Sequence, residues 1–186
     1  MEKTKESSQC LYLYHTGSVE IRDPKIDRGR KNADFGPGFY LTPDRDFTLR
    51  WAGPDAVVNK YELELSGLEV HRFSREEAWF DYLFQNRRGR DTLKADVVIG
   101  PIANDTIFDT LGVISSGFLS PEDAIKLLRV GPEYTQVAVK TEKAVRQLKW
   151  LRSERITKLD AEVRRAEAEA YSAAFAAAMQ EILGSE

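Results

Sequence analysis

Three short segments of the chain place histidine, tyrosine and glutamine beside glycines and polar residues that an ordinary core does not need. They are residues 13–18 (LYHTGS), 34–42 (DFGPGFYLT) and 134–140 (YTQVAVK). A histidine that ends a strand just before a glycine can offer a ring nitrogen to a ligand hydroxyl, while the glycine leaves the neighbouring backbone free to pair with an amide. His15 and Gly17 therefore form a candidate binding site for a ligand that carries both groups.

The second segment is suited to hold a flat ring. Gly36 and Gly38 lack side chains and allow the chain to approach a ligand closely just before Phe39 and Tyr40. A tyrosine beside such an opening can stack on a heteroaromatic ring. The segment thus predicts a surface on which a heterocycle stacks.

Each of these residues has a structural alternative when it is taken alone. His15 would more often be a hydrogen-bonded structural histidine, Tyr40 a core aromatic, and Gln136 an exposed strand residue without a role. The basic clusters at 28–31 and 87–90 are solvated loop charges by default, or a guide for an anionic acceptor. It is the ordered series of motifs that favours the functional interpretation.

The elements that must position these residues are short and mixed. Apolar runs predict strands at 11–14 and 38–42, and Thr42 followed by Pro43 predicts the N-cap and first turn of a helix. That helix should carry Phe47, Leu49 and Trp51. Strands are also predicted at 57–65 and 68–73, joined as a hairpin by Ser66-Gly67.

The second half of the domain continues this irregular order. A capping box at 74–77 predicts a helix, whose expected buried face holds Trp79, Phe80, Leu83 and Phe84. A buried strand at 96–100, helices at 104–116 and 121–130, and a last strand at 134–140 complete a domain over 10–152. Because helices and strands do not alternate regularly, an α+β fold with antiparallel sheet is favoured over a doubly wound parallel sheet.

Residues 153–186 have the composition of one long, alanine-rich helix. An apolar stripe recurs at steps of three and four in its first half, at Ile156, Leu159, Val163, Ala166 and Ala170. A second run with steps of four and three continues the stripe, at Tyr171, Phe175, Met179 and Ile182. Such a stripe either pairs with a second copy or another protein, giving a homo-oligomer or a complex, or folds back onto its own domain.

Composition limits the classes of protein that fit. The chain of 186 residues is 42% hydrophobic and 31% charged with a net charge of −3, which excludes disorder and argues against binding nucleic acid over the whole surface. It contains no apolar run long enough for a membrane span and no signal-peptide core, so a cytoplasmic protein is expected. Two histidines and one cysteine, far apart, disfavour a metal site.

The three segments together resemble a known family. The order His-x-Gly, Gly-x-Gly-Phe-Tyr-Leu-Thr and Tyr-x-Gln resembles the three-strand signature of ADP-ribosyltransferases of the diphtheria-toxin and poly(ADP-ribose) polymerase type. More closely, residues 11–150 resemble an uncharacterised bacterial family with the motifs DFGxGFYLT, WA, NR, DVVIGPxA and QxxxKTE, all present here in order. The resemblance implies an ADP-ribosyltransferase-like split antiparallel β-sheet core with surrounding helices, followed by the long C-terminal helix.

The resemblance also implies a role for each motif residue toward NAD, the co-substrate. His15 would hold the 2′-hydroxyl of the nicotinamide ribose, the Gly17 backbone would pair with the carboxamide, and Tyr40 would stack on the nicotinamide ring. Trp51 or Phe39 would cover the opposite face of the ring. Arg87 would meet the pyrophosphate, and Asp105 or Asn104 would set the adjoining loop. The other motif residues are assigned to the NAD-binding surface: Thr16, Asp34, Phe35, Gly36, Gly38 and Thr42.

The implied reaction is cleavage of the nicotinamide–ribose bond through an oxocarbenium-like transition state. Family members place a glutamate in the last strand near the ribose, whereas this chain has Gln136 there. An amide can accept a hydrogen bond from a hydroxyl but cannot act as a general base. This departure leaves mono-ADP-ribosylation, NAD hydrolysis or NAD binding without turnover, unless Asp105, Glu133 or Glu142 supplies a carboxylate.

Two main functional hypotheses follow. The first is a bacterial, toxin-like mono-ADP-ribosyltransferase with His15, Tyr40 and Gln136 as catalytic residues and a protein or nucleic-acid acceptor. The second is a catalytically weak module that binds NAD or ADP-ribose and signals through its C-terminal helix. A weaker third is an assembly protein in which the tail is the function.

Overall fold

The computed structural model describes residues 10–29, 32–49, 52, 55–103, 123, 126–127, 130 and 133–184. The helix predicted over 104–116 lies outside these residues, as does most of the helix predicted over 121–130. Within the described part, the chain is a mixed α+β structure with two β-sheets. The expectation of an α+β fold is thus confirmed.

The first sheet, sheet A, has three antiparallel strands. They are β1 (Cys10–Gly17), β3 (Val57–Glu64) and β7 (Leu148–Arg155), in the order β1-β3-β7. Strand β7 was not predicted, because its sequence LKWLRSER is half charged and has no clean alternation. It forms because β3 supplies a long antiparallel partner, with a bulge between Lys60 and Tyr61.

The second sheet, sheet B, has the strand order β2-β6-β5-β4. Its strands are β2 (Phe39–Leu41), β4 (Val70–Arg72), β5 (Val97–Pro101) and β6 (Thr135–Val139). Strands β2, β6 and β5 pair antiparallel, whereas β4 pairs parallel with β5.

The predicted hairpin over 57–73 is therefore wrong. Gly67 does turn the chain, with φ +70°, but the strands on either side enter different sheets. Strand β3 pairs with β1 and β7, and β4 crosses to the edge of sheet B. The turn residues predicted the reversal correctly but could not indicate the partner, because pairing depends on residues far away in the sequence.

The two sheets meet where β1 passes the end of β2. The Tyr14 N–H donates to the Thr42 carbonyl over 2.8 Å, and the Thr42 N–H donates to the Tyr14 carbonyl over 2.9 Å. A core fills the space between the sheets, with buried residues from both: Leu13, Phe39, Leu41, Tyr61, Leu63, Val97, Ile99, Val137 and Val139. The junction places the His15 segment directly beside the Tyr40 strand.

Two helices lie close to this junction. Helix α1 (Arg45–Thr48) is a single turn capped by Asp44, whose carboxylate accepts from the backbone N–H groups of Asp46 and Phe47. The predicted cap, Thr42, is wrong because its hydroxyl instead donates to the Thr135 carbonyl over 2.8 Å.

Helix α2 (Glu77–Arg87) covers the outer face of sheet B. It buries Trp79, Tyr82, Leu83 and Asn86 against Phe35, Val98 and Ala138. Phe80 and Phe84, which were predicted to be buried, are half-buried, and the predicted capping box makes no side-chain cap. The buried face is rotated from the expected one because Tyr82 and Asn86 pack toward the segment at 34–36.

Two further helices lie before and after strand β7 in the sequence. Helix α3 (Glu142–Val145) begins at Thr141, whose hydroxyl accepts from the Ala144 N–H. Helix α4 (Lys158–Leu183) is the predicted long C-terminal helix, with Val163 exposed at 48% and Tyr171 in contact with Phe175. It begins later than the predicted residue 153, because residues 153–155 form the end of strand β7 against β3. Among the described residues, no helix combines the length and apolarity that crossing a membrane would require.

Candidate functional site

The motif segment at 34–36 is fastened to strand β2 by the hydroxyl of Tyr40. The Phe35 N–H donates to this hydroxyl over 2.9 Å, and the hydroxyl donates to the Gly36 carbonyl over 2.6 Å. Burial raises the pKa of the Tyr40 hydroxyl far above its usual value near 10, so it stays protonated. Tyr40 thus holds the segment in place through its oxygen.

Asp34, at the start of this segment, is the centre of a buried polar network. Both Nε and Nη2 of Arg87 donate to Oδ1 of Asp34, the first over 3.0 Å. Oδ2 accepts from the Gln136 side chain over 2.9 Å and from the Ala103 N–H over 3.3 Å. The Arg87 side chain is only 6% exposed and that of Asp34 13%, so the ion pair is largely withdrawn from water.

Gln136 has a fixed orientation within this network. It is buried, and its Nε2 donates both to Asp34 Oδ2 and, over 3.2 Å, to the Pro101 carbonyl. Because two acceptors occupy the two N–H directions, the amide nitrogen must face them and Oε1 must point the other way. The oxygen is therefore the group that Gln136 can offer to a ligand.

His15 is oriented by the backbone of β2. Its Nδ1 lies 2.7 Å from the Tyr40 carbonyl, and since a carbonyl only accepts, Nδ1 carries the proton. Burial lowers the pKa of His15, and the hydrogen bond to the Tyr40 carbonyl offsets this in part, so the ring is neutral near pH 7. Nε2 is then an acceptor, as the predicted contact with a hydroxyl requires.

The space beside Nε2 is bounded by Gly17. A β-carbon at Gly17 would lie 3.6 Å from His15 Nε2 and 3.6 Å from the Ile21 side chain, which are ordinary contacts. A glycine at this position therefore leaves room beside Nε2, although packing within the protein does not require a glycine here. On its other side the His15 ring packs against Phe39, with ring centroids 4.4 Å apart.

The structure brings most of the predicted site residues into one connected group, but on two faces of β2. Phe39 and the His15 ring lie toward the core between the sheets. Tyr40 and Gln136 lie on the opposite face, because Tyr40 pairs with Ala138 and Gln136 lies two residues from Ala138 along β6. His15 is joined to β2, an edge strand of sheet B, by the hydrogen bond from its Nδ1 to the Tyr40 carbonyl.

Several predicted ligand-binding residues have structural contacts. The Thr16 hydroxyl donates to the Thr48 carbonyl over 2.7 Å, and Phe35 is fully buried. A β-carbon at Gly38 would meet the Val139 carbonyl oxygen at 2.8 Å. Gly36 has φ +78°, and a β-carbon there would lie 2.7 Å from Asn86 Oδ1. Both glycines are thus required by packing within the protein.

Two of the three candidate carboxylates, Glu133 and Glu142, lie within the described residues. Trp51, Asn104 and Asp105 lie outside the described residues. Glu133 is 56% exposed and 3.8 Å from Arg75, and Glu142 is exposed at the start of α3. The carboxylate that contacts Gln136 is Asp34, 102 residues away in the sequence.

Sequence reasoning missed a second polar cluster beside this site. The Lys140 ammonium donates to the Tyr82 hydroxyl over 2.7 Å and to the Asp91 carboxylate, and the Tyr82 hydroxyl donates to Asp91 over 3.0 Å. The Tyr82 hydroxyl also lies 3.4 Å from the Phe35 carbonyl. Only the position of Lys140 in the third motif could have indicated it. Among the described residues, no group of three or more histidine, cysteine or acidic side chains could hold a metal ion.

A comparison with protein families returns a match over most of the chain. A family model described as "Protein of unknown function (DUF3990)" matches residues 11–150. No curated protein and no solved structure matches the chain. The match covers well over half of the chain and includes all three motif segments.

Proposed function

Since the chain belongs to the DUF3990 family, whose description assigns no activity, we propose a function from the site itself: NAD-dependent mono-ADP-ribosylation of a macromolecular acceptor. In this reaction the bond between C1′ of the ribose and the nicotinamide nitrogen breaks, and nicotinamide leaves with the electron pair. A nucleophile of the acceptor, or water in the hydrolytic side reaction, forms the new bond to C1′ and loses its proton.

One observation carries this proposal: the neutral His15 ring is locked with Nε2 as an acceptor beside an empty glycine position. A hydroxyl-bearing ligand that also has a carboxamide fits this arrangement, because Nε2 accepts from the hydroxyl while the Gly17 backbone is open to an amide. The resemblance of the motif series to ADP-ribosyltransferases supports the choice of nicotinamide riboside, as part of NAD, as such a ligand.

The residues of the chain would act in two ways: they would orient the bound NAD, and they would place a partial negative charge near the ribose. His15 and Gly17 would hold the ribose and the carboxamide, and Gln136 Oε1 would accept from a second ribose hydroxyl. Orientation of the bound bond and a preorganised partial negative charge near the developing cation supply most of what this transition state needs. Arg87 is bound to Asp34 through Nε and Nη2, which weakens its predicted role at the pyrophosphate.

A second candidate function is favoured by the same network. The only carboxylate in contact with Gln136 among the described residues is Asp34, and its charge is paired with Arg87. A site with a neutral amide and a paired carboxylate suits binding of NAD or ADP-ribose without turnover. In that case the binding of NAD or ADP-ribose would be signalled to partner molecules through helix α4.

The experiment is incubation of the purified protein with NAD, with free nicotinamide followed by chromatography and NAD binding by calorimetry. Gly17→Ala is the informative variant because its β-carbon makes only ordinary contacts and yet occupies the space beside Nε2. We expect it to unfold at the wild-type temperature and to lose NAD binding by about tenfold or more.

The outcomes separate the two candidates. Nicotinamide release by the wild type but not by Gly17→Ala supports the enzyme, and saturable binding without release supports the binding module. Absence of both activities in the wild type refutes the proposed function. Tyr40→Ala is a poor control, because the hydroxyl of Tyr40 holds the segment at 34–36.

A further inference from the structure

The hydrogen bond from the Gln136 amide to the Asp34 carboxylate is the feature that most distinguishes this site from one with a glutamate at position 136. We propose that Asp34 is a positioning residue that fixes and polarises the Gln136 amide, so that Oε1 takes the place of a carboxylate oxygen toward a ligand hydroxyl. The inference rests on the proposed function for the identity of the ligand, but the Asp34–Gln136 unit itself stands on the contacts of these two side chains.

The orientation of the amide follows from its two acceptors. Nε2 donates to Asp34 Oδ2 over 2.9 Å and to the Pro101 carbonyl over 3.2 Å. A flipped amide would place Oε1 against a carboxylate oxygen and a carbonyl oxygen, which is strongly unfavourable. Asp34 and Pro101 therefore select a single orientation in which Oε1 points away from the network.

The polarisation follows from the charge of one acceptor. A hydrogen bond to an ionised group is shorter and roughly twice as strong as one between neutral groups. Withdrawal of the N–H protons toward a carboxylate shifts electron density through the conjugated amide onto its oxygen, as in a cooperative hydrogen-bond chain. Gln136 is buried, so water does little to screen the effect.

Arg87 holds Asp34 in the position that this requires. Its Nε and Nη2 both donate to Oδ1, and this leaves Oδ2 for Gln136 and the Ala103 N–H. The arginine side chain is 6% exposed and lies at the end of α2, whose packing fixes it against sheet B. The order Arg87–Asp34–Gln136 is thus a relay of charge-assisted bonds that ends at the amide oxygen, which makes no hydrogen bond to a described residue.

The network predicts that Gln136→Glu alone will not reproduce the active site of family members that have a glutamate at this position. Gln136→Glu places a second carboxylate at the 2.9 Å contact with Asp34, where two ionised carboxylates repel. One of them must take up a proton or leave the contact. The exchange Asp34→Asn with Gln136→Glu restores one amide and one carboxylate in contact and keeps the formal charge of the pair.

The test compares four proteins with NAD: wild type, Asp34→Asn, Gln136→Glu and the double exchange. For proteins that turn over NAD, the rate of nicotinamide release gives kcat and KM at several pH values. For proteins that do not, the NAD dissociation constant is measured at the same pH values. We expect Asp34→Asn to lower kcat about tenfold, or to weaken NAD binding about tenfold in a pure binder. The double exchange should recover only part of what Asp34→Asn loses, because it restores an amide–carboxylate contact but places a carboxylate oxygen at the Pro101 carbonyl and an amide at Arg87. The single Gln136→Glu variant should be active only over a shifted pH range.

Asp96→Asn is the matched control for lost stability. Asp96 has a side chain of similar burial, 12% exposed, and accepts from the Thr141 hydroxyl, the Lys143 ammonium and the Glu69 N–H, but none of these contacts reaches Gln136. If Asp34→Asn and Asp96→Asn lower kcat or NAD binding by the same factor per folded molecule, Asp34 is merely structural and the inference is overturned. The inference is also overturned if the double exchange recovers none of the function that Asp34→Asn loses.

A readout without NAD separates this inference from the proposed function. In the wild type, NMR should show the side-chain N–H pair of Gln136 shifted from ordinary amide positions and slow to exchange with solvent, and Asp34→Asn should abolish both features. Ordinary, rapidly exchanging Gln136 signals in the wild type would overturn the Asp34–Gln136 unit. A wild type that shows the shifted signals but neither binds nor cleaves NAD would refute the proposed function while the unit stands.

Discussion

Replacing Tyr40 with phenylalanine removes a single oxygen atom on which the placement of the Asp34 segment depends. The Phe35 N–H donates to this oxygen over 2.9 Å, and the oxygen donates to the Gly36 carbonyl over 2.6 Å. The phenylalanine ring still fills the site, so water has little room to replace the hydroxyl. At about 1 kcal/mol for each lost hydrogen bond, the variant should lose about 2 kcal/mol of unfolding free energy.

Thermal and urea denaturation measure this loss. For a chain of this length, 2 kcal/mol corresponds to a fall in Tm of about 4–8 °C, and the urea m-value should be unchanged. Tyr14→Phe is the matched control, because the Tyr14 hydroxyl makes no hydrogen bond to any described residue while its ring is also half-buried. The control should change the unfolding free energy by less than about 0.5 kcal/mol.

Equal stability of the Tyr40→Phe and Tyr14→Phe variants would refute this reasoning, since the two hydrogen bonds would then contribute nothing. A large loss in both variants would point to the rings in place of the hydroxyl. Only a loss confined to Tyr40→Phe agrees with the fastening of residues 34–36 to β2.

Three further predictions follow from other contacts. Gly38→Ala should lower the unfolding free energy by about 1–3 kcal/mol in urea denaturation, because its β-carbon would lie 2.8 Å from the Val139 carbonyl oxygen; wild-type stability would contradict this. Burial lowers the pKa of His15, so the unfolded chain binds the extra proton first and stability should fall as the pH drops below about 6.5; denaturation from pH 5 to 8 should show a flatter curve for His15→Asn, and parallel curves would exclude the assignment. Asp44→Ala should cost about 1 kcal/mol through loss of the cap on α1, measured as a lower urea midpoint, and an unchanged midpoint would show that the cap is dispensable.

Local sequence patterns were sufficient for the elements with strong periodicity. The apolar runs around Leu13, Tyr40, Val98 and Val137 predicted four of the strands, and the alanine-rich composition predicted α4. The same patterns failed for β7, whose charged sequence becomes a strand only against β3. Propensity and periodicity act over a few residues, so they identify an element where its own side chains decide the conformation.

Contacts between distant residues lay beyond those patterns. The turn at Gly67 gave no sign that β4 would pair parallel with β5, and Thr42 looked like a helix cap although its hydroxyl bonds to Thr135. The glycines of the second motif suggested ligand approach, yet Gly36 and Gly38 are needed by Asn86 and Val139. In each case the residue type indicated a special role, but the sequence did not indicate which distant residue it would contact.

The candidate site shows the same division. The sequence by itself determined which side chains are available: a histidine before a glycine, a tyrosine after two glycines, and an amide in place of a carboxylate. Only the tertiary structure decided that His15 carries its proton on Nδ1 and that Gln136 faces Asp34. The reason is physical: a tautomer and an amide orientation are selected by hydrogen-bond partners, and these partners come from strands and loops that only the packing of the two sheets brings together.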